Sequence, residues 1–274
     1  MTFETAKYYY DYYCNGYSSV KLANEFGHTP QYYIHGFKTN GFSMRSNKLN
    51  SRRYSADFEY FENIDTAEKA YWLGLISSDG YISSANGKRL GISLSNKDAN
   101  QIEKFANCIQ STYPIHTYKV KQGYKPGIEY CRLVITSDKL YDDLERHGVC
   151  EHKSNILKRP DIDPKFYSQY ILGYFDGDGS IFCNNSRSPF YTVSIVGTDD
   201  VLTFIHSQFV ENGITDRDVS LSKRKPNQAV SYIRYGGNRI VSRIYSYLYR
   251  DIDTAIPLER KRELFLKCLN RNFQ

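Results

Sequence analysis

Asp79 and Asp178 each close a segment of one recurring type, roughly 100 residues apart in a chain of 274. The first segment runs Ala70-Tyr71-Trp72-Leu73-Gly74-Leu75-Ile76-Ser77-Ser78-Asp79-Gly80, the second Tyr170-Ile171-Leu172-Gly173-Tyr174-Phe175-Asp176-Gly177-Asp178-Gly179. Superposing them puts Gly74 on Gly173, Asp79 on Asp178 and Gly80 on Gly179. A carboxylate in the last turn of a helix faces the negative end of the helix dipole, which disfavours an anion by roughly 0.3–1 kcal/mol. Two such groups brought together repel further. A divalent cation held between them offsets both penalties, and aspartate oxygens suit Mg2+. Facing a phosphate, metal held in this way activates water and stabilises the leaving oxygen of a phosphodiester.

The rest of each segment predicts how the acids are brought together. Both are apolar nearly all round, so each reads as a helix buried on most faces. Gly74 and Ser78 are four residues apart, as are Gly173 and Gly177, which puts small residues on one helix face and lets two backbones approach. A duplicated core helix pair without chemistry explains that much, but not the acids. Asp65-Thr66-Ala67-Glu68 starts the first helix as a capping box, and Asp163-Pro164 starts the second. After Gly80 the pattern gives strands at 81–84 and 89–95, a helix at 99–110, strands at 117–121 and 129–136, and a helix at 139–146. After Gly179 it gives strands at 180–183 and 191–196, a helix at 201–211, strands at 219–223 and 229–235, and helices at 240–249 and 258–269. The fold class is therefore α+β: two α-β-β-α-β-β-α repeats, residues 64–162 and 163–274, preceded by a small helical domain at 1–63.

That first domain reads as a helix-turn-helix-like module. Ser18 caps a short helix that Gly27 closes, and Thr29-Pro30 opens the next, whose exposed Gln31, Tyr32, His35 and Lys38 are candidates for a major groove. The stretch 38–53 has five basic residues and no acidic one, and its Arg45, Arg52 and Arg53 could track phosphates. A small helical bundle with a solvated basic tail produces the same pattern.

Composition is that of a globular protein, 41% apolar and 24% charged, which excludes disorder and collagen-like repetition. The net charge of +6 gives modest support to a polyanionic partner. No apolar run suits a bilayer and no signal-peptide core follows Met1, so the expected location is the cytoplasm. The six scattered cysteines read as reduced, mostly buried thiols, and His147, Cys150 and His152 lack the spacing of a structural zinc site. The 26 tyrosines suit a wet polar interface or a core with half-buried surface.

Trp72–Gly80 and Ile171–Gly179 resemble the paired nine-residue motif of the LAGLIDADG homing endonucleases, and the resemblance extends over about 65–269. It implies a pseudo-symmetric monomer whose motif helices form the interface between repeats and whose antiparallel strands form a saddle over DNA. Two or three divalent ions, Mg2+ among them, would lie at that interface. By this resemblance Asp79 and Asp178 bind metal, assisted by the carbonyls of Ser78 and Gly177. Asp176, whose counterpart is Ser77, is a helix-end or structural residue. Lys153 and Lys261, after the last helix of each half, would act at the cleavage centre by polarising water or neutralising phosphate charge. Sequence readout would fall to Arg89, Lys119, Lys121, Arg132, Lys223, Arg224, Lys225 and Arg234 on or near the strands.

The implied activity is a free-standing, site-specific, metal-dependent double-strand DNA endonuclease with a long asymmetric target. Neither terminus carries splicing residues, and the N-terminal module suits intron-associated or phage members in a bacterial or phage-infected cell, near the nucleoid. Two alternatives stay open: a transcription regulator that keeps the fold without cleavage, and a maturase bound to intron RNA.

Overall fold

The computed structural model describes residues 1–44, 54–85, 87–120, 127–184, 190–223 and 230–271. Arg45, Arg52, Arg53, Lys121, Arg224 and Lys225 lie outside the described residues. Cα packing divides the chain into two units, Met1–Tyr54 and Ser55–Gln274. The division corrects the expected boundary at residue 63. Phe61 is fully buried in the core of the larger unit with Tyr60 and Ile64, and the Asp57 N–H donates to the Ile109 carbonyl at 2.8 Å. Tyr60 and Phe61, expected at the end of the first domain, bury their rings in this core instead.

The first unit holds α1 (Phe3–Cys14), α2 (Ser19–Phe26) and α3 (Pro30–Thr39). Thr2, Ser18 and Thr29 cap them by accepting from Thr5, Lys21 and Tyr32 N–H groups, each cap contributing about 1 kcal/mol. Gly27 ends α2 at φ +80°, a conformation that favours glycine. Tyr13, Leu22, Tyr33 and Phe37 form the core, ringed by further aromatics, with Tyr9 edge-on to Tyr33 at 5.1 Å. Hydroxyls leave this core through backbone carbonyls: Tyr33 donates to Gly27 and Tyr10 to Ser43. Much of the tyrosine content of this unit is thus core with a satisfied polar edge.

In the second unit α4 (Ala67–Ser78) precedes β1 (Gly80–Ser83), β2 (Arg89–Ser95), α5 (Ala99–Cys108), β3 (His116–Lys119), β4 (Glu129–Thr136) and α6 (Asp138–Arg146). The second repeat has α7 (Tyr167–Asp178), β5 (Gly179–Asn184), β6 (Phe190–Gly197), α8 (Asp199–Glu211), β7 (Ser231–Gly236), α9 (Asn238–Leu248) and α10 (Glu259–Arg271). The first sheet is antiparallel in the order β1-β2-β4-β3, the second in the order β5-β6-β7. The strand expected at 219–223 is reduced to one bridge, Ser222 with Tyr232. Val219 is exposed and Ser220 and Ser222 have weak strand preference, so little apolar surface holds that segment to the sheet.

Strand alternation sends Leu90, Ile92, Leu133 and Ile135 inward against Ile102 and Phe105 of α5 and Leu140 and Leu144 of α6. Val193, Ile195 and Ile233 do the same against Val201, Ile205 and Phe209 of α8 and Val241 and Ile244 of α9. Between the two halves lie α4 and α7, buried at 70–77 and 168–176. A Cβ at Gly74 would collide with the carbonyl oxygen of Tyr170, and one at Gly173 with that of Tyr71. Only glycine permits so close a crossing, and the fold spends both glycines on bringing the two helix ends together.

Candidate active site

The crossing sets Asp79 and Asp178 side by side at the ends of α4 and α7. Asp79 is the C-cap of α4, its N–H donating to Leu75 O at 2.9 Å, and Asp178 is the last residue of α7. Gly177 makes room at the contact: a Cβ there would collide with Ser78 Oγ and lie 3.2 Å from the carboxyl carbon of Asp79. Neither carboxylate has a hydrogen-bond or ion-pair partner among the described residues. Both remain open to solvent on one side, while the protein massed around them on the others desolvates them. Burial and the charge of Asp79 push the Asp178 carboxyl up to about 6, against the pull of Lys153 and Lys261. Burial also raises Asp79, against the same two lysines.

Lys153 and Lys261 lie beneath the acids, 8% and 4% exposed, few enough atoms that each ammonium must find partners inside. Lys153 follows α6 in a short 3-10 turn, Lys153–Asn155, and its Nζ donates to Ser78 O at 2.7 Å. Lys261 Nζ donates to the carbonyls of Phe175 (2.7 Å), Asp176 (2.6 Å) and Gly179 (2.6 Å), with Gly177 O further away at 3.4 Å. Each lysine thus satisfies carbonyls that the end of a motif helix leaves without partners and sets a positive charge against its dipole. The Ser78 and Gly177 carbonyls, expected as metal ligands, thus each have an ammonium nearby, Lys153 at 2.7 Å and Lys261 at 3.4 Å. Burial lowers both lysine pKa values, while the neighbouring aspartates oppose the shift.

Asp176 lies deeper and takes part in the join. Its Oδ2 accepts from Tyr71 OH at 2.7 Å and from Leu258 N at 2.8 Å, and Gln101 Nε2 donates to the same tyrosine oxygen at 2.7 Å. Burial pushes its carboxyl up to about 6 in spite of Lys261 and these two donors. Cavities flank the acids on either side. One of about 230 Å³ lies beside Asp79, walled by Ser93, Asp98, Gln101 and Arg260, and one of about 160 Å³ beside Asp178, walled by Lys153, Ser154 and Thr198.

The sheet faces turned away from the core hold some of the expected DNA-binding side chains. Arg132 lies opposite Ser93 and His116, its guanidinium 5.3 Å from the Tyr118 ring centre, and Arg234 lies opposite Ser194, 4.7 Å from the Tyr232 ring. Arg89 shares the face of Arg132 at the start of β2 and is half-buried. Lys119 does not share it: pairing with Glu129, which has the parity of inward-facing Cys131, puts it on the opposite face, in an ion pair at 3.1 Å. Lys223 is exposed in a loop just past the Ser222 bridge. On α3, Gln31, His35 and Lys38 are exposed at helical spacing, while Tyr32 is half-buried and stacked on His28 at 4.1 Å. Sequence reasoning missed Asp98, Gln101 and Arg260, which line the Asp79 cavity; the duplication, which sets Asp98 near Thr198 at equivalent helix starts, was the signal for the first. Among the described residues no group of three or more His, Cys, Asp or Glu is arranged to hold a metal, so the acid pair is the donor set present.

The family model for a LAGLIDADG-like domain matches residues 66–148. No curated protein matches the chain. Among solved structures it resembles the LAGLIDADG homing endonuclease I-LtrWI bound to target DNA, at 10% identity over 79% of this chain and 92% of that one, with a TM-score of 0.51. It also resembles the homing endonuclease I-WcaI bound to its DNA recognition sequence, at 16% identity over 82% and 96%, with a TM-score of 0.51.

Proposed function

From a chain that carries a LAGLIDADG-like domain and has the LAGLIDADG homing-endonuclease fold, we propose a site-specific endonuclease that hydrolyses both strands of a DNA target with a divalent cation. The observation that carries this is the pair of carboxylates where the motif helices meet, without hydrogen-bond or ion-pair partners among the described residues. Such a pair destabilises the fold unless something positive and oxygen-seeking joins it. Lysine is present yet turned to backbone carbonyls, which leaves the carboxylate oxygens without a hydrogen-bond partner among the described residues.

Two hard oxygen donors in an otherwise open site fit Mg2+, which is bound by one or two carboxylates and completes its shell with water and substrate phosphate. Asp79 and Asp178 would hold it. When bound, the ion polarises a phosphoryl oxygen and makes water a nucleophile near neutral pH. The chain's own residues do the rest. Lys153 and Lys261, fixed on carbonyls, lend positive potential where phosphate charge grows, without having to reorganise. Arg132 and Arg234, held over tyrosine rings, present guanidinium forks suited to guanine edges or phosphates. Gln31, His35 and Lys38 of α3 would lengthen the recognised site as a helix-turn-helix reads it.

Selection of cleaved sites from a random duplex library in Mg2+ tests this reading. Recovery of one long asymmetric site supports it, provided Asp178→Asn abolishes double-strand cutting while retaining DNA affinity. Specific binding without any cutting would make the protein a regulator, and preference for a structured intron RNA a maturase. Selection repeated without residues 1–54 should lose preference at the outer end of the site; an unchanged preference removes the first unit from recognition.

A further inference from the structure

The loop that carries Lys261 belongs to the second repeat but is tied to the first. Gln101 Nε2 donates to Ile256 O at 2.8 Å and Lys104 Nζ to Pro257 O at 3.3 Å. Asp98 takes Arg260 in a two-pronged contact, Nε to Oδ1 at 3.1 Å and Nη2 to Oδ2 at 2.9 Å. Between these anchors the Leu258 N–H reaches Asp176, and the next residue after Arg260 is the lysine that closes the end of α7. The Asp98 side chain is only 14% exposed and Gln101 1%, and Gln101 is also held within the first repeat by its bond to Tyr71 OH.

The arrangement recurs in reverse. The loop that carries Lys153 belongs to the first repeat and is tied to the start of α8 in the second. Thr198 Oγ1 donates to Leu157 O at 2.6 Å, and the Arg159 N–H donates to Asp200 Oδ1 at 2.6 Å. Each lysine-bearing loop is therefore tied to the repeat that does not carry it, while the ammonium itself rests on carbonyls of its own repeat. The two ties differ in strength: one is a charged, bidentate fork and the other consists of single bonds to backbone groups.

We infer that Asp98 and Gln101 are positioning residues for Lys261, acting through Arg260 and Ile256, and that this tie governs the Asp79 side of the cleavage centre. The inference rests on the nuclease reading for its kinetic consequence but not for its structural one. Loosening the loop would let the Lys261 ammonium leave the carbonyls it holds, beside Asp79, and leave Lys153 in place.

Asp98→Ala in the full chain tests it with two readouts. Pulsed acetylation with an amine-selective reagent, read by mass spectrometry, should label Lys261 roughly fivefold or more faster than in the wild type, with Lys153 unchanged. On a supercoiled plasmid bearing the selected site, nicked circles should accumulate because one strand is cut more slowly. Asp200→Ala should reverse both effects, labelling Lys153 faster and slowing the other strand. Arg260→Lys, which keeps the charge and loses the fork, gives the same labelling test if Asp98→Ala does not fold, with a smaller increase. Equal labelling of both lysines, unchanged labelling of Lys261, or equal slowing of both strands overturns the inference. A wild type that cuts no DNA defeats the nuclease reading instead, and the Lys261 to Lys153 labelling ratio still decides the tie.

Discussion

Replacing Asp178 by Asn removes a charge that the fold tolerates poorly. Its carboxyl is pushed up to about 6 from an ordinary 3.8, by burial first and Asp79 second. Between those values the folded state holds a proton that the unfolded chain has lost, so stability falls as pH rises from about 4 to about 6 and the deficit is constant above that. Two pH units correspond to about 3 kcal/mol. The carboxylate keeps one side in solvent, so screening leaves roughly half of that or less, about 1–1.5 kcal/mol. In a unit of this size 1 kcal/mol moves Tm by about 2–4 °C, so Asp178→Asn should raise the Tm of the metal-free protein by roughly 2–6 °C at about pH 7.5. At about pH 3, below both values, this site is largely protonated in both states of the wild type, and the gain should nearly vanish. Added Mg2+ should raise the Tm of the wild type and leave that of the variant nearly unmoved, because a ligand stabilises only the state that binds it. Scanning calorimetry in chelator and in Mg2+ measures all three. A variant that melts at or below the wild type near pH 7.5 in chelator would refute the electrostatic reasoning, and equal responses to Mg2+ would refute the metal assignment.

Gly173→Ala should destabilise the second unit by about 3 kcal/mol or more, since the new Cβ meets backbone of Tyr71 and Leu75 that cannot turn aside; a denaturant midpoint unchanged from wild type would contradict the close crossing. Tyr71→Phe should cost about 1–3 kcal/mol in urea unfolding by leaving buried Gln101 and Asp176 groups short of a partner. It should also steepen the loss of stability between about pH 4 and 7, because the tyrosine bond now holds the Asp176 carboxyl down. Arg234→Ala should either cost about 1–3 kcal/mol of discrimination at one base position or weaken binding to all sequences with a salt slope reduced by about one; binding titrations that show neither remove Arg234 from the interface.

The duplicated elements were legible because hydrophobic periodicity and capping are local. The all-round apolar character of 70–77 and 168–176 implied a buried helix pair, and Gly74 and Gly173 at matching positions implied that they cross closely. The segment at 219–223 was misread for a related reason: alternation of residue types is visible in a sequence, but whether a neighbouring strand offers enough apolar surface to keep the segment is not. Which face Lys119 takes was not legible, because strand parity relative to a partner decides it.

What the sequence determined by itself was the inventory: two acids at the ends of two like helices, two lysines after the last helices of the repeats, and a helical first unit with an exposed polar face on α3. Only the tertiary structure decided how those charges are divided. It turned the lysines onto helix-end carbonyls, left the carboxylates without partners among the described residues, and tied each lysine-bearing loop to the opposite repeat through Asp98, Gln101, Thr198 and Asp200. Hydrogen bonds and burial depend on groups about 3 Å apart in space that lie as far as 160 residues apart in the chain, as Asp98 and Arg260 do, and no local pattern carries that information.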